Sequence, residues 1–315
     1  MSALTREIRA ARPTRNNVDP WRVHACFVEP ECGPDRVLAD VATLFLVNSE
    51  CPFTCSFCDL WKNTLETPTP RGAIPAQIDD AFERLGSAAR TAADIKLYNS
   101  GNFFDRRAVP IEDHPAIAER VKSFRRVIVE NHPRLTGEDC LRFRDLIAPA
   151  RLEVALGLET IHPEILPRLN KGMTFDDFAR AAEFLQAEGV ALRAFVMLRP
   201  PEMTEAEGVH WAERSLAAAF DCGVECCSVI PARAGNGYLD RLAKAGRFSP
   251  PGLASLEEAQ RRGLAMDRGR VFADLWDAQR LPGCVACGPA RRGAIAEMNR
   301  IQWPIPPTEC VHCGE

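Results

Sequence analysis

Three cysteines stand close together in the segment 51–58, which reads CPFTCSFC. The spacing C-x3-C-x2-C places Cys51, Cys55 and Cys58 in one loop, with the aromatic Phe57 directly before the last of them. Cysteine thiolates are the usual ligands of iron–sulfur clusters, and a four-iron cluster normally takes four ligands. A loop that supplies three thiolates therefore predicts a [4Fe-4S] cluster with one iron open to another ligand. A zinc site or buried structural cysteines are the alternatives.

Four more cysteines form two C-x2-C pairs near the carboxyl end, CVACG at 284–288 and CVHCG at 310–314. Each tight turn presents two sulfurs, and its glycine permits the backbone twist, so the two turns together suit tetrahedral coordination by four thiolates. A structural zinc ion is the first interpretation and an auxiliary iron–sulfur cluster the second, because four cysteines satisfy either metal. The predicted ligands are Cys284, Cys287, Cys310 and Cys313.

The composition indicates where such a protein would work. The chain has 13 cysteines in 315 residues, its first residues lack the apolar stretch of a secretory signal, and the apolar run 41–47 is too short to span a bilayer. We therefore expect a soluble cytoplasmic protein without a membrane partner, in which clustered cysteines bind metal more often than they form disulfides. The other cysteines are interpreted as small buried hydrophobes, with Cys32 the most exposed-looking: Cys26, Cys32, Cys140, Cys222, Cys226 and Cys227.

The elements that would position these cysteines follow from the alternation of short apolar runs and amphipathic segments after residue 41. Six such units predict an α/β fold, a partial (β/α)6 barrel with its active site at the carboxyl ends of the strands. Residues 1–40 are predicted to be an N-terminal extension with a flexible, solvated start, 41–235 the barrel, and 236–315 a C-terminal region with the cysteine-rich tail. The predicted strands are 41–48, 95–100, 126–131, 152–160, 192–200 and 225–231.

Polar side chains follow several of these strands, and parallel strands bring such residues to one edge of the sheet. Glu130 and His132 end the third strand as candidate catalytic groups, although a lone histidine is more often simply hydrogen-bonded. Glu159 ends the fourth strand, and Arg193 on the next strand is its expected charge partner, because an unpaired buried charge is costly. Arg233 lies in a glycine-bearing loop after the sixth strand, where it could meet an anionic group.

The three-cysteine loop, its Phe57 and its place after the first strand of a β-α repeat resemble the cluster motif of the radical S-adenosylmethionine (SAM) superfamily. That resemblance implies an enzyme whose [4Fe-4S] cluster binds and reductively cleaves SAM, giving a 5′-deoxyadenosyl radical that abstracts hydrogen from a substrate. It also implies a flavodoxin- or ferredoxin-type electron donor. The segment 98–102 departs from the family's commoner Gly-Gly-Glu form. The SAM contacts that the resemblance implies are Phe57, Tyr98, Asn99, Ser100, Gly101, Asn102, Glu159, Arg193 and Arg233.

Longer segments, KLYNSGNFFD (96–105), VENHP (129–133) and LEVALGLET (152–160), are similar to the elongator-like branch of that superfamily and, within it, to the radical SAM subunit of archaeosine synthase. This resemblance implies a tRNA substrate. The net charge of −4 and the pI near 6.0 argue against a large nucleic-acid footprint. A small molecule or natural-product intermediate is therefore the first substrate hypothesis. Modification of tRNA, with a partner that supplies RNA affinity, is the second, and a non-catalytic iron–sulfur and zinc scaffold is the third.

Overall fold

The computed structural model describes residues 1–313, which form an α/β fold around one eight-stranded sheet curled into an open half-barrel. The strands lie across the sheet in chain order. Each strand from β2 to β7 pairs in parallel with its successor, whereas β1 runs antiparallel to β2. The strands are β1 (Ala25–Cys32), β2 (Leu38–Phe45), β3 (Asp94–Tyr98), β4 (Arg126–Asn131), β5 (Arg151–Glu159), β6 (Ala191–Leu198), β7 (Cys226–Pro231) and β8 (Arg270–Ala273).

Parallel strands need crossover connections, and helices on the convex face supply them. Two of the crossover helices begin with capping boxes at Thr174 and Thr204, which satisfy amides of the first helical turn. Within residues 1–313, no helix has the length and apolar character needed to cross a membrane. The helices are α1 (Ala3–Ala11), α2 (Ala73–Leu85), α3 (Ser87–Thr91), α4 (His114–Val121), α5 (Glu138–Leu146), α6 (Ile165–Arg168), α7 (Phe175–Ala187), α8 (Glu205–Asp221), α9 (Tyr238–Lys244), α10 (Leu253–Ala265) and α11 (Gly288–Ile301).

Strand residues alternate between two environments, because successive side chains point to opposite faces of a sheet. On β3, Ile95 and Leu97 are buried in the apolar core between sheet and helices. Asp94, Lys96 and Tyr98 point to the concave face instead. The other strands show the same alternation, and we call the space enclosed by the concave face the lumen.

Ion pairs close the lumen at the amino-terminal ends of the strands. Arg193 donates to Glu31 at 2.6 Å and to Glu153 at 2.7 Å, while Arg126 donates to Glu153 at 2.9 Å and to Asp94 at 2.5 Å. All five side chains are at most 8% exposed. Buried charges persist where partners and hydrogen bonds compensate them, as they do here. This layer is the floor of the lumen. The open side of the lumen therefore lies at the carboxyl ends of the strands.

The predicted fold class is confirmed, and the six predicted strands correspond to β2–β7. Two strands escaped prediction. β1 carries Pro30 next to the exposed Glu29, and β8 has only 4 residues. Both are edge strands, where a proline is tolerated because one side of the strand needs no partner. The predicted boundaries at residues 40 and 235 stay predictions, and the sheet continues beyond both.

Two sequence predictions about particular segments need correction. The start of the chain is mostly exposed, as a solvated segment would be, but it is not a flexible coil, because it forms α1, in which the Ser2 hydroxyl accepts the amide of Thr5. Ile8 of this helix is 2% exposed and packs in a small apolar cluster with Leu239. Cys32 is buried at 1% exposure, since it ends β1 inside the sheet.

Candidate active site and metal centre

The cluster loop, residues 48–65, leaves the carboxyl end of β2 and returns to its own beginning. The amide of Glu50 donates to the Leu65 carbonyl at 2.9 Å, and the amide of Leu65 donates to the Asn48 carbonyl at 2.8 Å. Ser49 and Leu65 form an isolated parallel bridge. These bonds close the loop at a neck, and the three cysteines lie between its two sides.

The three thiols of the loop interact electrostatically with one another and are free of disulfide bonds. Burial raises the pKa of Cys55 to about 12, and burial together with the neighbouring Cys55 and Cys51 raises the pKa of Cys58 further. The thiols are therefore protonated in the metal-free protein, and metal binding must release their protons. The side-chain amide of Asn102 donates to the Cys51 sulfur at 3.1 Å. Three thiols of one loop, with an N–H donor to the sulfur of Cys51, fit the donor set of a [4Fe-4S] cluster.

The loop after β3 lies beside these thiols. Asn99 donates to the side-chain oxygen of Asn48 at 2.7 Å, which ties this loop to the neck of the cluster loop. The buried Oδ1 of Asn99 has no protein partner, so it is available to a bound donor. Ser100 has a left-handed backbone at φ 53°, and Gly101 lies within 4 Å of the Cys51 side chain when a Cβ is built on it. Asn99, Ser100, Gly101 and Asn102 are thus brought to the cluster side of the lumen.

Glu130, near the end of β4, binds backbone amides of the loop after β3. Its carboxylate accepts the amides of Asn99 at 2.7 Å and Gly101 at 3.3 Å. Burial raises the pKa of Glu130 to about 7, although the amides of Asn99, Ser100 and Gly101 oppose that shift. Glu130 is close to the predicted SAM contacts, and its present bonds position the loop rather than leave the carboxylate free for catalysis.

His132 packs under the cluster loop. Its ring stacks on Phe53 at 3.7 Å between centroids, its Nδ1 accepts the Arg134 amide, and its Nε2 donates to the Lys171 carbonyl at 3.0 Å. Burial lowers the pKa of His132 to about 3, so the ring is neutral. Both ring nitrogens are occupied, which favours a structural role over the acid–base role considered from the sequence.

Glu159 does not pair with Arg193, so the expected charge pair is wrong. Lys171 donates to Glu159 at 2.9 Å, and the two side chains are 9% and 8% exposed. Burial opposes the charged ammonium, but the Glu159 carboxylate outweighs burial and raises the pKa of Lys171. Arg193 is the third residue of β6 and lies in the floor of the lumen with Glu31 and Glu153, two layers below the strand ends. Glu159 is the last residue of β5 and has a left-handed φ of 64°.

Phe57 and Arg233 lie at different parts of the mouth. The Lys171 ammonium sits 5.9 Å from the centre of the Phe57 ring, so Phe57 borders the Glu159–Lys171 pair. Arg233 pairs with Asp274 at 2.8 Å after β8, and its buried Nε has no protein partner. Tyr98 points into the lumen, where burial raises the pKa of its hydroxyl to about 12. Arg233 is therefore not brought together with Glu159 and Phe57 in the described contacts.

The four carboxyl-terminal cysteines converge, as their spacing predicts. All four sulfurs lie within 4.8 Å of one another. The sulfurs of Cys284 and Cys310 are 3.9 Å apart, and those of Cys287 and Cys313 are 3.8 Å apart. Backbone amides of His312 and Cys313 lower the pKa of Cys310 to about 6. The buried Arg291 donates to the Cys287 sulfur at 3.3 Å and to Glu257, which anchors the site on α10.

Three residues at the site were not found by sequence reasoning. Lys171 gives no local signal, because its partner lies 12 residues earlier in a different element. Arg15, which contacts the cluster loop, lies 35 residues before Glu50. Trp276 contributes a ring to the lumen from the loop after β8, a strand that sequence reasoning missed.

Comparison with known proteins matches this architecture. A family model described as the Radical SAM superfamily matches residues 46–210. Archaeosine synthase subunit beta of Methanosarcina acetivorans is 30% identical over 205 residues, 61% of this chain and 58% of the relative. The same-named subunit of Thermococcus kodakarensis is 24% identical over 210 residues, 65% of this chain and 64% of the relative. The matching segment thus spans less than two thirds of either relative.

Two solved structures share the fold. Methylornithine synthase superposes with a TM-score of 0.56 and 16% identity, covering 99% of this chain and 81% of that one. Elp3 of the archaeon Methanocaldococcus infernus superposes with a TM-score of 0.54 and 16% identity, covering 71% of this chain and 59% of that one. At this identity the likeness concerns the fold.

Proposed function

Because the chain belongs to the radical SAM superfamily and is a radical SAM enzyme, we propose that it modifies a base of tRNA together with a partner subunit. Two relatives named archaeosine synthase subunit beta support the choice of tRNA over a free small molecule. The observation that carries the proposal is the aromatic wall of the lumen, which offers flat apolar faces to a planar base.

The aromatic wall consists of rings from strands that surround the open half of the lumen. Phe45 contacts Phe27 at 5.9 Å, Tyr98 at 6.1 Å and Trp276 at 6.5 Å between centroids, and Tyr98 contacts Phe195 at 6.2 Å. All five rings keep part of their surface accessible, and Trp276 is 61% exposed. Stacking of one base on such a ring contributes about 1–3 kcal/mol of binding free energy.

The opposite half of the lumen is polar and lies next to the cluster loop. Cys51, Cys55 and Cys58 would hold the [4Fe-4S] cluster, which supplies the electron that breaks a carbon–sulfur bond of SAM and generates the radical. Asn99 and Asn102 would bind and orient the polar groups of SAM, and the buried Glu159–Lys171 pair would fix the carboxyl end of β5 beside them. The floor pairs keep water out of the far end. A substrate on the aromatic wall would therefore face SAM across the lumen.

The chain is acidic overall, so the proposed partner would supply the affinity for RNA. The net charge of −4 gives little general attraction to phosphates, so RNA affinity has to come from elsewhere. The relatives are named as subunits, which supports an assembly of this kind. We also propose a cytoplasmic location, where tRNA is found, and an electron donor of the flavodoxin or ferredoxin type.

The test uses tRNA isolated from a strain that lacks the gene. The anaerobically reconstituted enzyme is incubated with SAM, dithionite and this tRNA, with and without a lysate of the deletion strain as a source of the partner, and the nucleosides are then compared by mass spectrometry. A new modified nucleoside, and less of it with Phe195→Leu, is the expected result. Unchanged nucleosides, with 5′-deoxyadenosine formation stimulated by a small-molecule fraction instead, would overturn the tRNA assignment.

For the carboxyl-terminal cysteines we propose a structural zinc ion. Four thiolates about 2.3 Å from one zinc lie about 3.8 Å from each other in a tetrahedron, and the paired sulfurs here are 3.9 and 3.8 Å apart. The ligands of an auxiliary cluster surround several metal and sulfide atoms and must therefore stand farther apart. About one zinc and about four irons per chain are expected by metal analysis. About eight irons without zinc would contradict the assignment.

A further inference from the structure

We propose that the N-terminal strap, residues 3–16, holds the cluster loop in the shape that binds metal, with Arg15 as its positioning residue. The strap contains no cysteine and contributes no ligand. It acts through the neck of the loop, the place where the two sides of the loop meet. This inference concerns the cluster site alone, so it does not depend on the substrate proposed above.

Arg15 binds both sides of the neck with one guanidinium group. It donates to the Glu50 carboxylate at 2.5 Å on the side that leads to Cys51. It also donates to the Trp61 carbonyl at 2.6 Å and to the Thr64 hydroxyl at 2.6 Å, on the side that follows Cys58. The planar fork of arginine can satisfy several acceptors at once, which a lysine ammonium at the same position cannot reproduce.

Arg12 reinforces the same contact. Its guanidinium donates to the second carboxylate oxygen of Glu50 at 2.6 Å and lies 4.6 Å from the centre of the Trp61 ring, which is 5% exposed. Both carboxylate oxygens of Glu50 are thus engaged, one by Arg12 and the other by Arg15. Glu50, the residue directly before the first ligand, is thus a carboxylate held between two arginines.

The strap is itself fixed to the barrel. α1 packs against α9, and a Cβ on Gly237 at the start of α9 would overlap the Ala11 carbonyl. Asn170 donates to the Thr5 hydroxyl of the strap at 3.2 Å and to the Thr54 carbonyl of the cluster loop at 2.6 Å. The strap therefore connects the cluster loop to the frame of the fold.

A loop that is already shaped does not have to be ordered when metal binds. Ordering a flexible segment opposes binding, so preorganisation of the loop favours metal uptake and slows metal loss. Removing the Arg15 guanidinium should release the neck while leaving the three thiols intact.

The experiment compares Arg15→Ala and Arg15→Lys with Arg6→Ala, a matched control on α1 whose exposed guanidinium contacts only the Met1 carbonyl in the described bonds. The first measurement is amide hydrogen exchange of the metal-free protein, which needs neither cluster nor activity. We expect the Glu50 and Leu65 amides to exchange about tenfold faster in Arg15→Ala, as for loss of one charge-assisted hydrogen bond. β5 (Arg151–Glu159) should exchange as in the wild type.

The second measurement is the rate at which the reconstituted protein loses iron to a chelator. Arg15→Ala should lose iron several-fold faster, Arg15→Lys should lie between it and the wild type, and Arg6→Ala should match the wild type. Wild-type exchange at the neck together with wild-type iron loss in Arg15→Ala would overturn the proposal. So would equally faster exchange in β5, because that result indicates general destabilisation. If Arg15→Ala does not fold, Glu50→Gln serves as the second variant, with the same expectations at the neck.

Discussion

Replacing Lys171 by methionine should destabilise the protein strongly, because it leaves a buried carboxylate without its counterion. Lys171 and Glu159 are 2.9 Å apart, and their side chains are 9% and 8% exposed. Removal of one partner of such a buried pair costs about 3–5 kcal/mol. We expect the lower end, about 3 kcal/mol, because Glu159 lies at the carboxyl end of β5, where water can reach it in the variant. For a chain of this size that loss corresponds to a melting temperature lower by about 5 °C.

The assay is urea unfolding of the metal-free protein, in which the thiols near Lys171 are protonated and contribute no charge. Glu159→Gln is the second single variant, and Lys171→Met/Glu159→Gln removes both charges. The double variant should lose less stability than either single variant, because neither charge is left buried without a partner. The Glu159 carboxylate outweighs burial and raises the pKa of Lys171 above its ordinary 10.5. The pair's contribution is therefore lost only as the pH rises above 10.5, and the difference between wild type and Lys171→Met should stay constant from pH 8 to about pH 9.

A loss of less than about 1 kcal/mol in Lys171→Met would refute this reasoning, since such a value is typical of exposed pairs. Additive losses in the double variant would refute it as well. Either result would mean that Lys171 and Glu159 do not depend on each other inside the protein.

Three further predictions concern neighbouring parts of the site. Since burial raises the pKa of Glu130 from 4.5 to about 7, the folded protein favours the protonated carboxyl, and stability should fall by about 3 kcal/mol as pH rises through that interval. Glu130→Gln should abolish most of this fall in urea unfolding curves recorded across the interval, and an unchanged slope would contradict it. In Gly157→Ala the new Cβ would lie 2.6 Å from Glu159 Oε1 and closer still to Lys171 Nζ, so thermal melts should show a loss of about 1–3 kcal/mol, whereas a wild-type melt would show that the pair can move aside. Cys284→Ser should lower zinc per chain without lowering iron, as measured by metal analysis, and a parallel loss of iron would place these cysteines in an iron site.

The sequence was most informative where the function depends on neighbours in the chain. The spacing of Cys51, Cys55 and Cys58 predicted the superfamily and the enzyme class, both of which are confirmed, as is the likeness to archaeosine synthase subunits. The two C-x2-C pairs predicted the convergence of four sulfurs. The alternation of apolar runs and amphipathic segments in 41–235 predicted the six strands of a partial barrel. All these signals are local, because each motif or strand is contained in a short segment.

The sequence was least informative about which distant charges meet. Glu159 and Arg193 lie on neighbouring strands but do not form an ion pair. Arg193 is near the start of β6, whereas Glu159 is at the end of β5. Side-chain direction and height along a strand, rather than strand adjacency, decide such pairs. The composition was also a poor guide to Arg12 and Arg15. The basic residues 6–15 suggested a solvated start, yet these two side chains are 12% and 21% exposed, because they bind Glu50. The preference for a small-molecule substrate rested in part on net charge, whereas two relatives are named archaeosine synthase subunit beta.

The most direct measurement for the whole account is the yield of 5′-deoxyadenosine from SAM and dithionite, with iron determined on the same anaerobic sample. The account predicts about four loop-bound irons per chain and 5′-deoxyadenosine formation in the wild type. It also predicts that Cys55→Ala loses both while Cys284→Ser keeps its iron. Wild-type protein that binds iron but releases no 5′-deoxyadenosine, or Cys55→Ala protein that still cleaves SAM, would contradict the claim that this loop carries the chemistry.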